Sequence, residues 1–225
     1  MIKTENELVI RIKADDSATV EYVIDGVVTH KALSIIDIIQ SLKQSWDRQN
    51  MVESGFLPQN CIAFSRYIEG GNRCYVLDFP ERTSDIVYHN TEYDNFPLPR
   101  LIFGFMLSSE GRVMSVKIAV ADEGTLTEDT KLFHYPFSNV NGFRMCTGAN
   151  RFPAYKTMAA LNNLPQYVLK LPNNDDQFWK RDNKLEFGYR ELLEHLKDKS
   201  SAYYYTDVLI PSGKTLKDFV KEGLT

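Results

Sequence analysis

The stretch Leu132–Asn150, LFHYPFSNVNGFRMCTGAN, decides how the chain is read. A strand-rich region precedes it and a helix-like region follows. It sets Cys146 among turn formers, asparagines and a basic residue: Asn139, Asn141, Gly142, Arg144 and Gly148. Cysteine reacts as the thiolate, so a reactive one needs partial exposure and electropositive or hydrogen-bonding help. A glycine-flanked turn keeps a side chain accessible. An asparagine amide is a neutral donor suited to an oxyanion in acyl transfer. Cys146 is therefore the candidate nucleophile, with Asn139 as the first candidate donor and Asn141 the second. Asn139 is equally suited to capping the turn. His134 is the histidine upstream in the same stretch.

Upstream of that stretch the signals are mostly β. ELVIRI (7–12) and TVEYVI (19–24) are short β-rich runs around a turn at Ala14–Ser17. Asp25-Gly26 reads as a second tight turn, leading to a third strand at Val27–Thr29. Ser34 then looks like an N-cap. Ile35, Ile36, Ile38, Ile39, Leu42 and Trp46 follow at helical spacing, so residues 34–50 read as an amphipathic helix. Its apolar stripe suits a core, or alternatively a docked partner. Residues 60–67 and 73–79 form a hairpin across Gly70-Gly71-Asn72, and 84–89 a further strand. Cys61 and Cys74 alternate with bulky apolar residues there, which suggests buried, inert thiols. Asn95–Pro99 reads as a proline-stiffened lead-in. A second hairpin, 100–107 and 112–120, turns at Ser108–Gly111, before an acidic solvated loop at 122–129.

Downstream, residues 155–164 read as a helix that Pro165 interrupts, and 172–176 (PNNDD) as a mobile loop. Leu185, Tyr189, Leu192, Leu193 and Leu196 share one face of a helix over 185–197. An apolar stretch then runs from Tyr203 to Pro211, and residues 215–221 read as a last helical turn or two. The fold class is α+β: an antiparallel β-meander with helices on one face and at the C-terminal end. The N-terminal hairpin and helix (1–52) form an extension packed on a core of 53–225.

Composition narrows the function. The chain has 225 residues, 43% hydrophobic and 25% charged, which suits a folded core rather than disorder. A net charge of −4 argues against a nucleic-acid binder, since phosphate neutralisation needs a basic surface. No run approaches the ~20 apolar residues of a membrane span. The start, MIKTENELVI, lacks the apolar segment of a signal peptide. Three cysteines with no CxxC pair, and no histidine at zinc-finger spacing, imply neither a disulfide framework nor a zinc site. A reducing cytoplasm is the expected setting. No cofactor or metal is expected.

Several elements, in order, carry a family resemblance. Asn139-Val140-Asn141, then Gly142, then Cys146 resembles the active-site segment of ubiquitin-conjugating enzymes, with Phe137-Ser138 in place of the usual His-Pro. Leu57-Pro58-Gln59-Asn60 is similar to a Leu-Pro-x-Asn element after the first helix. Pro99-Arg100-Leu101-Ile102-Phe103 is similar to a Pro-x-Leu-Ile/Val-Phe strand. Leu132–Val140 and Phe143–Gly148 are similar to a Leu-Tyr/Phe-x-x-Pro-Phe-x-Asn-Val segment running into Gly-x-x-Cys-x-Gly. This ordered set resembles prokaryotic ubiquitin-conjugating-like family D, whose members include the protein B components of PRTRC gene clusters. The resemblance implies a bacterial protein of mobile elements with a ubiquitin-conjugating fold. It implies that Cys146 accepts a ubiquitin-like modifier as a thioester and passes it to an amine, with Asn139 as oxyanion donor or loop stabiliser. It implies as partners a ubiquitin-like modifier, an adenylating (activating) enzyme and a JAB-type deconjugating protease. Three other readings stay open: a catalytically silent scaffold of the same fold, a cysteine hydrolase pairing Cys146 with His134 or His89, and a structural protein with Cys146 buried.

Overall fold

Two strands of this chain have no polar face. In the computed structural model, which describes residues 8–15, 17–24, 27–49, 54, 56–67 and 71–222, Leu101–Leu107 is buried along nearly its whole length and Val113–Ala121 is buried from Val116 onward. A strand buried on both sides reads as a continuous apolar run, and it demands cover on both faces. The rest of the chain supplies that cover.

The chain divides into two compact units, Met1–Glu53 and Ser54–Thr225. In the first, β1 (Leu8–Ile12), β2 (Ser17–Ile24) and β3 (Val27–Ser34) form an antiparallel sheet in that order, followed by α1 (Ile35–Gln49). Ser34 caps α1: its Oγ accepts the Asp37 N–H at 3.1 Å, and Asp37 reaches back to the Ser34 hydroxyl at 2.7 Å. Ala18, Val20 and Ile38 make a small core. Only part of the helix stripe points into it, for Ile36, Ile39 and Leu42 are exposed. The turns expected at Asp25-Gly26 and Gly70, and the Trp46 side chain, lie outside the described residues.

In the second unit, β4 (Cys61–Arg66), β5 (Arg73–Phe79), β6 (Arg82–Tyr88), β7 (Thr91–Leu98), β8 (Leu101–Leu107) and β9 (Val113–Ala121) follow one another. After them come β10 (Lys131–Phe133), β11 (Val140–Asn141) and β12 (Arg144–Met145). The main sheet is antiparallel in the order β11-β12-β9-β8-β5-β4, with β10 also pairing β9. β6 and β7 pair apart from it. Pro97 lies within β7, opposite Thr83, rather than in a stiff lead-in. A two-stranded ribbon tolerates a residue that cannot donate to the ladder.

The helices are α2 (Met158–Asn162), α3 (Leu164–Leu169), α4 (Tyr189–Leu196), α5 (Ser201–Tyr203) and α6 (Leu216–Lys221). A π-helical turn at Tyr204–Val208 and β13 (Pro211–Thr215), which pairs β10, lie between the last two. Pro165 does not end a helix. It sits in the first turn of α3, where a missing N–H costs nothing. α4 starts at Tyr189 rather than at 185, because Glu186 takes φ +52° and Gly188 caps the helix.

Contrary to the sequence expectation, helices cover both faces of the sheet. Tyr75, Leu77, Phe103, Phe105, Ile118 and Val120 point to the side packed by α2, α3 and α4. Val76, Ile102, Ala119 and Ala121 point to the other, where Leu216 and Phe219 of α6 cover them together with Phe143. Each buried Val, Leu, Ile or Phe among them stabilises by roughly 1.5–3 kcal/mol relative to exposure. Lys117 is 7% exposed on that second face. Its Nζ donates to the Phe219 carbonyl at 3.2 Å, tying the last turn of α6 to β9, and burial pushes its pKa down.

Candidate functional site

Cys146 follows a two-residue hairpin turn. β11 and β12 pair at Val140–Met145 and Asn141–Arg144, leaving Gly142 and Phe143 at the tip. Gly142 takes φ +60°, a conformation that strains any residue with a Cβ. Phe143 then folds back into the α6-side core, its ring 5.3 Å from that of Phe219. The hairpin is sewn to the middle of β9. Arg144 pairs with Lys117, and the Ile118 N–H donates to the Phe143 carbonyl at 2.8 Å.

A backbone relay sets the cysteine itself. The Cys146 N–H donates to the Asn139 carbonyl at 2.7 Å, and the Asn139 N–H donates to the Asp176 carbonyl at 2.9 Å. Asn139 takes φ +64°, a left-handed conformation that asparagine tolerates better than most residues. Just before it, Phe137 and Ser138 are buried. Phe137 packs against Phe96, Tyr135, Tyr189 and Tyr204, and Ser138 Oγ donates to Asn173 Oδ1 at 3.3 Å. The pair that replaces His-Pro is therefore a core anchor for the segment.

The loop expected to be mobile at 172–176 is tied down. Asn173 exchanges backbone bonds with β6, donating to the Val87 carbonyl at 2.8 Å and accepting from the His89 N–H at 2.9 Å. Its amide also donates to the Val87 and Leu171 carbonyls. Tyr88 Oη donates to Asp175 Oδ1 at 2.7 Å. The loop therefore delivers Asp176 to Asn139 and brings Gln177 beside the cysteine.

The result is a shallow pocket of about 310 Å³ lined by Asn141, Arg144, Met145, Cys146 and Gln177. Cys146 is exposed, unlike buried Cys74 and half-buried Cys61. Burial pushes the thiols of Cys61 and Cys74 up, away from the reactive thiolate. The reading that required a buried Cys146 is thereby corrected, since the hairpin leaves its side chain in the open. Asn141 shares the pocket with Cys146. Asn139 contributes backbone to the site, and its side chain is not among the lining groups. Gln177 lines the pocket and was missed by the sequence reading, because no local pattern links it to the cysteine.

None of the lining residues is a histidine. The His134 N–H donates to the Ile210 carbonyl, and its ring lies near Phe143. His89 lies 3.4 Å from Asp175. Among the described residues, no group of three or more His, Cys, Asp and Glu side chains could hold a metal. No helix in the described residues is long and apolar enough to cross a membrane. The pocket thus offers one exposed sulfur, two side-chain amides and one guanidinium, a set suited to acyl transfer from an already activated donor.

Comparison with known proteins agrees on the family. No curated protein and no solved structure matches the chain. The family model for prokaryotic E2 family D matches residues 37–211, which include the hairpin, Cys146 and the loop that carries Gln177. With α+β architecture, largely antiparallel sheets and a match over most of its length, the chain belongs to prokaryotic E2 family D.

Proposed function

We propose that this protein accepts a ubiquitin-like modifier as a thioester on Cys146 and transfers it to an amine. The observation that carries this reading is the exposure of Cys146 at the mouth of the Asn141–Gln177 pocket. The reading assigns the ubiquitin-conjugating arrangement to the second unit, Ser54–Thr225. An adenylating enzyme supplies the modifier as a thioester. The Cys146 thiolate attacks its carbonyl carbon, the new C–S bond forms, and the first thiolate leaves. A substrate amine then attacks that carbon. The amide forms, the proton passes from nitrogen to solvent, and the Cys146 thiolate is regenerated. Because the thioester is already activated, the step needs little acid–base help. A pocket without histidine meets that demand. In this reading Asn141, which lines the pocket, donates to the oxyanion. Asn139 serves by holding the Cys146 backbone, and a JAB-type protease would reverse the conjugation.

Incubation with an adenylating enzyme, its modifier and ATP tests the reading. A thiol-sensitive adduct is expected on the wild-type chain and not on Cys146→Ala. The same set, shown competent by self-charging of the activating enzyme, would leave a silent scaffold unmodified.

A further inference from the structure

The loop that enters the pocket carries an exposed side-chain amide that has no protein partner among the described residues. Gln177 lines the pocket together with Asn141 and Cys146. Its backbone takes φ +52°, a left-handed conformation that strains a residue with a Cβ and persists where the surroundings impose it. They do impose it. Asn173 fixes one end of the loop on β6, and the Asp176 carbonyl accepts the Asn139 N–H. Asn139 in turn accepts the Cys146 N–H, so one relay sets the positions of both Gln177 and Cys146. A glutamine held in this way has a donor and an acceptor to satisfy. Among the described residues no partner takes them, and the pocket is where a reacting carbonyl would sit.

We propose that the Gln177 side-chain amide donates a hydrogen bond to the carbonyl oxygen of the acyl group on Cys146 as it becomes an oxyanion. The inference rests on the thioester reading of Cys146 and adds a residue to it. When the amine attacks, the carbonyl π pair moves onto oxygen, and the Gln177 N–H stabilises that charge. When the oxyanion collapses, the C–S bond breaks and the pair leaves on sulfur. The amide carries no proton away and is unchanged at the end. Asn141 lines the same pocket and is the second donor in this reading. Together they supply the two donors that a tetrahedral intermediate uses.

The test needs no partner protein. The full chain is treated with a short synthetic peptide thioester ending in glycine. The acyl group is located on Cys146 by peptide mapping, and its loss to excess free lysine is timed by intact mass. Gln177→Glu keeps the size of the side chain and removes the donor. Gln177→Gly removes the amide but accommodates the positive φ without strain. Both variants should discharge about tenfold more slowly than wild type, less than the loss for a fully enclosed donor because this one is half open to water. Iodoacetamide should still alkylate Cys146 at the wild-type rate in both, with Cys61 and Cys74 slow, which verifies the fold. Wild-type discharge by Gln177→Gly would overturn the inference and leave the thioester reading standing, for the residue's role would then be its backbone. A wild-type chain whose Cys146 alkylates but takes no acyl group from the probe would overturn both.

Discussion

Cys146 differs from Cys61 and Cys74 in surroundings and not in chemistry. Two thiols sit on strands whose neighbours exclude water, while the third follows a glycine turn and faces a pocket. What surrounds Cys146 also fixes how its discharge should depend on pH. None of the lining residues is a histidine, an aspartate or a glutamate, so under the proposed thioester reading the acceptor amine must arrive already free of its proton. With lysine as acceptor, the rate should climb about tenfold per pH unit toward the amine pKa of about 10.4. Discharge of the charged protein measured from pH 6 to 9 checks this. A plateau or bell centred near pH 6.5–7 would restore a histidine base, and with it the hydrolase reading. Phe137 and Ser138, two and one residues before Asn139, contribute to the core rather than to the pocket. They bury themselves and anchor the segment from below.

At the scale of elements, the β11–β12 hairpin is short, with two residues on each side, and cannot hold itself. Its stability is borrowed from β9 behind it and from α6 beneath Phe143. Phe219 is the shared contact: it is 2% exposed, packs on the Phe143 ring, and lies under the Lys117 ammonium with 4.8 Å from Nζ to the ring centre. Phe219→Ala should destabilise the second unit by about 3–5 kcal/mol, as for other large aromatic-to-alanine changes in a core. Hydrogen exchange should accelerate first at the Ile118 amide, which is bonded to the Phe143 carbonyl. Destabilisation with unaltered exchange at Ile118 would mean that α6 supports the sheet without supporting the hairpin. α6 itself was legible from sequence, because Thr215 and Asp218 form a capping box at its start. The breaks before α3 and α4 were not. Pro165 serves an N-terminal turn as readily as it stops a helix. The left-handed Glu186 is set by Asn183, whose side chain accepts the Phe187 N–H.

Taken as a whole, the second unit is a sheet covered on both sides, and much of its larger core is aromatic. Several of these aromatics are tyrosines that cannot easily lose a proton. Burial pushes Tyr93, Tyr155 and Tyr205 up to about 12, and raises Tyr135, Tyr189 and Tyr204 further. The unfolded chain releases its phenolic protons near pH 10. Between that pH and the folded values the folded state holds more protons, so stability falls as pH rises. Below about pH 10 this contribution is fully present. The protein should therefore unfold cooperatively in alkali, above about pH 10. The tyrosinate absorbance of these buried phenols should appear in a step that coincides with loss of near-ultraviolet circular dichroism. Gradual ionisation of all twelve tyrosines before any loss of structure would contradict the packing described here.

Local signals in the sequence were enough for much of this protein. Ser34 announced a helix start, the Ser108–Gly111 turn announced a hairpin, and alternation announced the strands, because each depends on neighbours a few residues apart. The ordered motifs from Leu57 to Gly148 pointed to the family, and they drew attention to Cys146. The tertiary structure alone decided that a second helical layer covers the sheet. It also set the Asn139 carbonyl against the Cys146 N–H, and put Gln177 in one pocket with the cysteine. The physical reason is the same in each case. A pocket is closed by hydrogen bonds and packing between segments far apart in the chain. The bond from Asn139 to Asp176 leaves no periodicity or spacing in either segment by which it could be read.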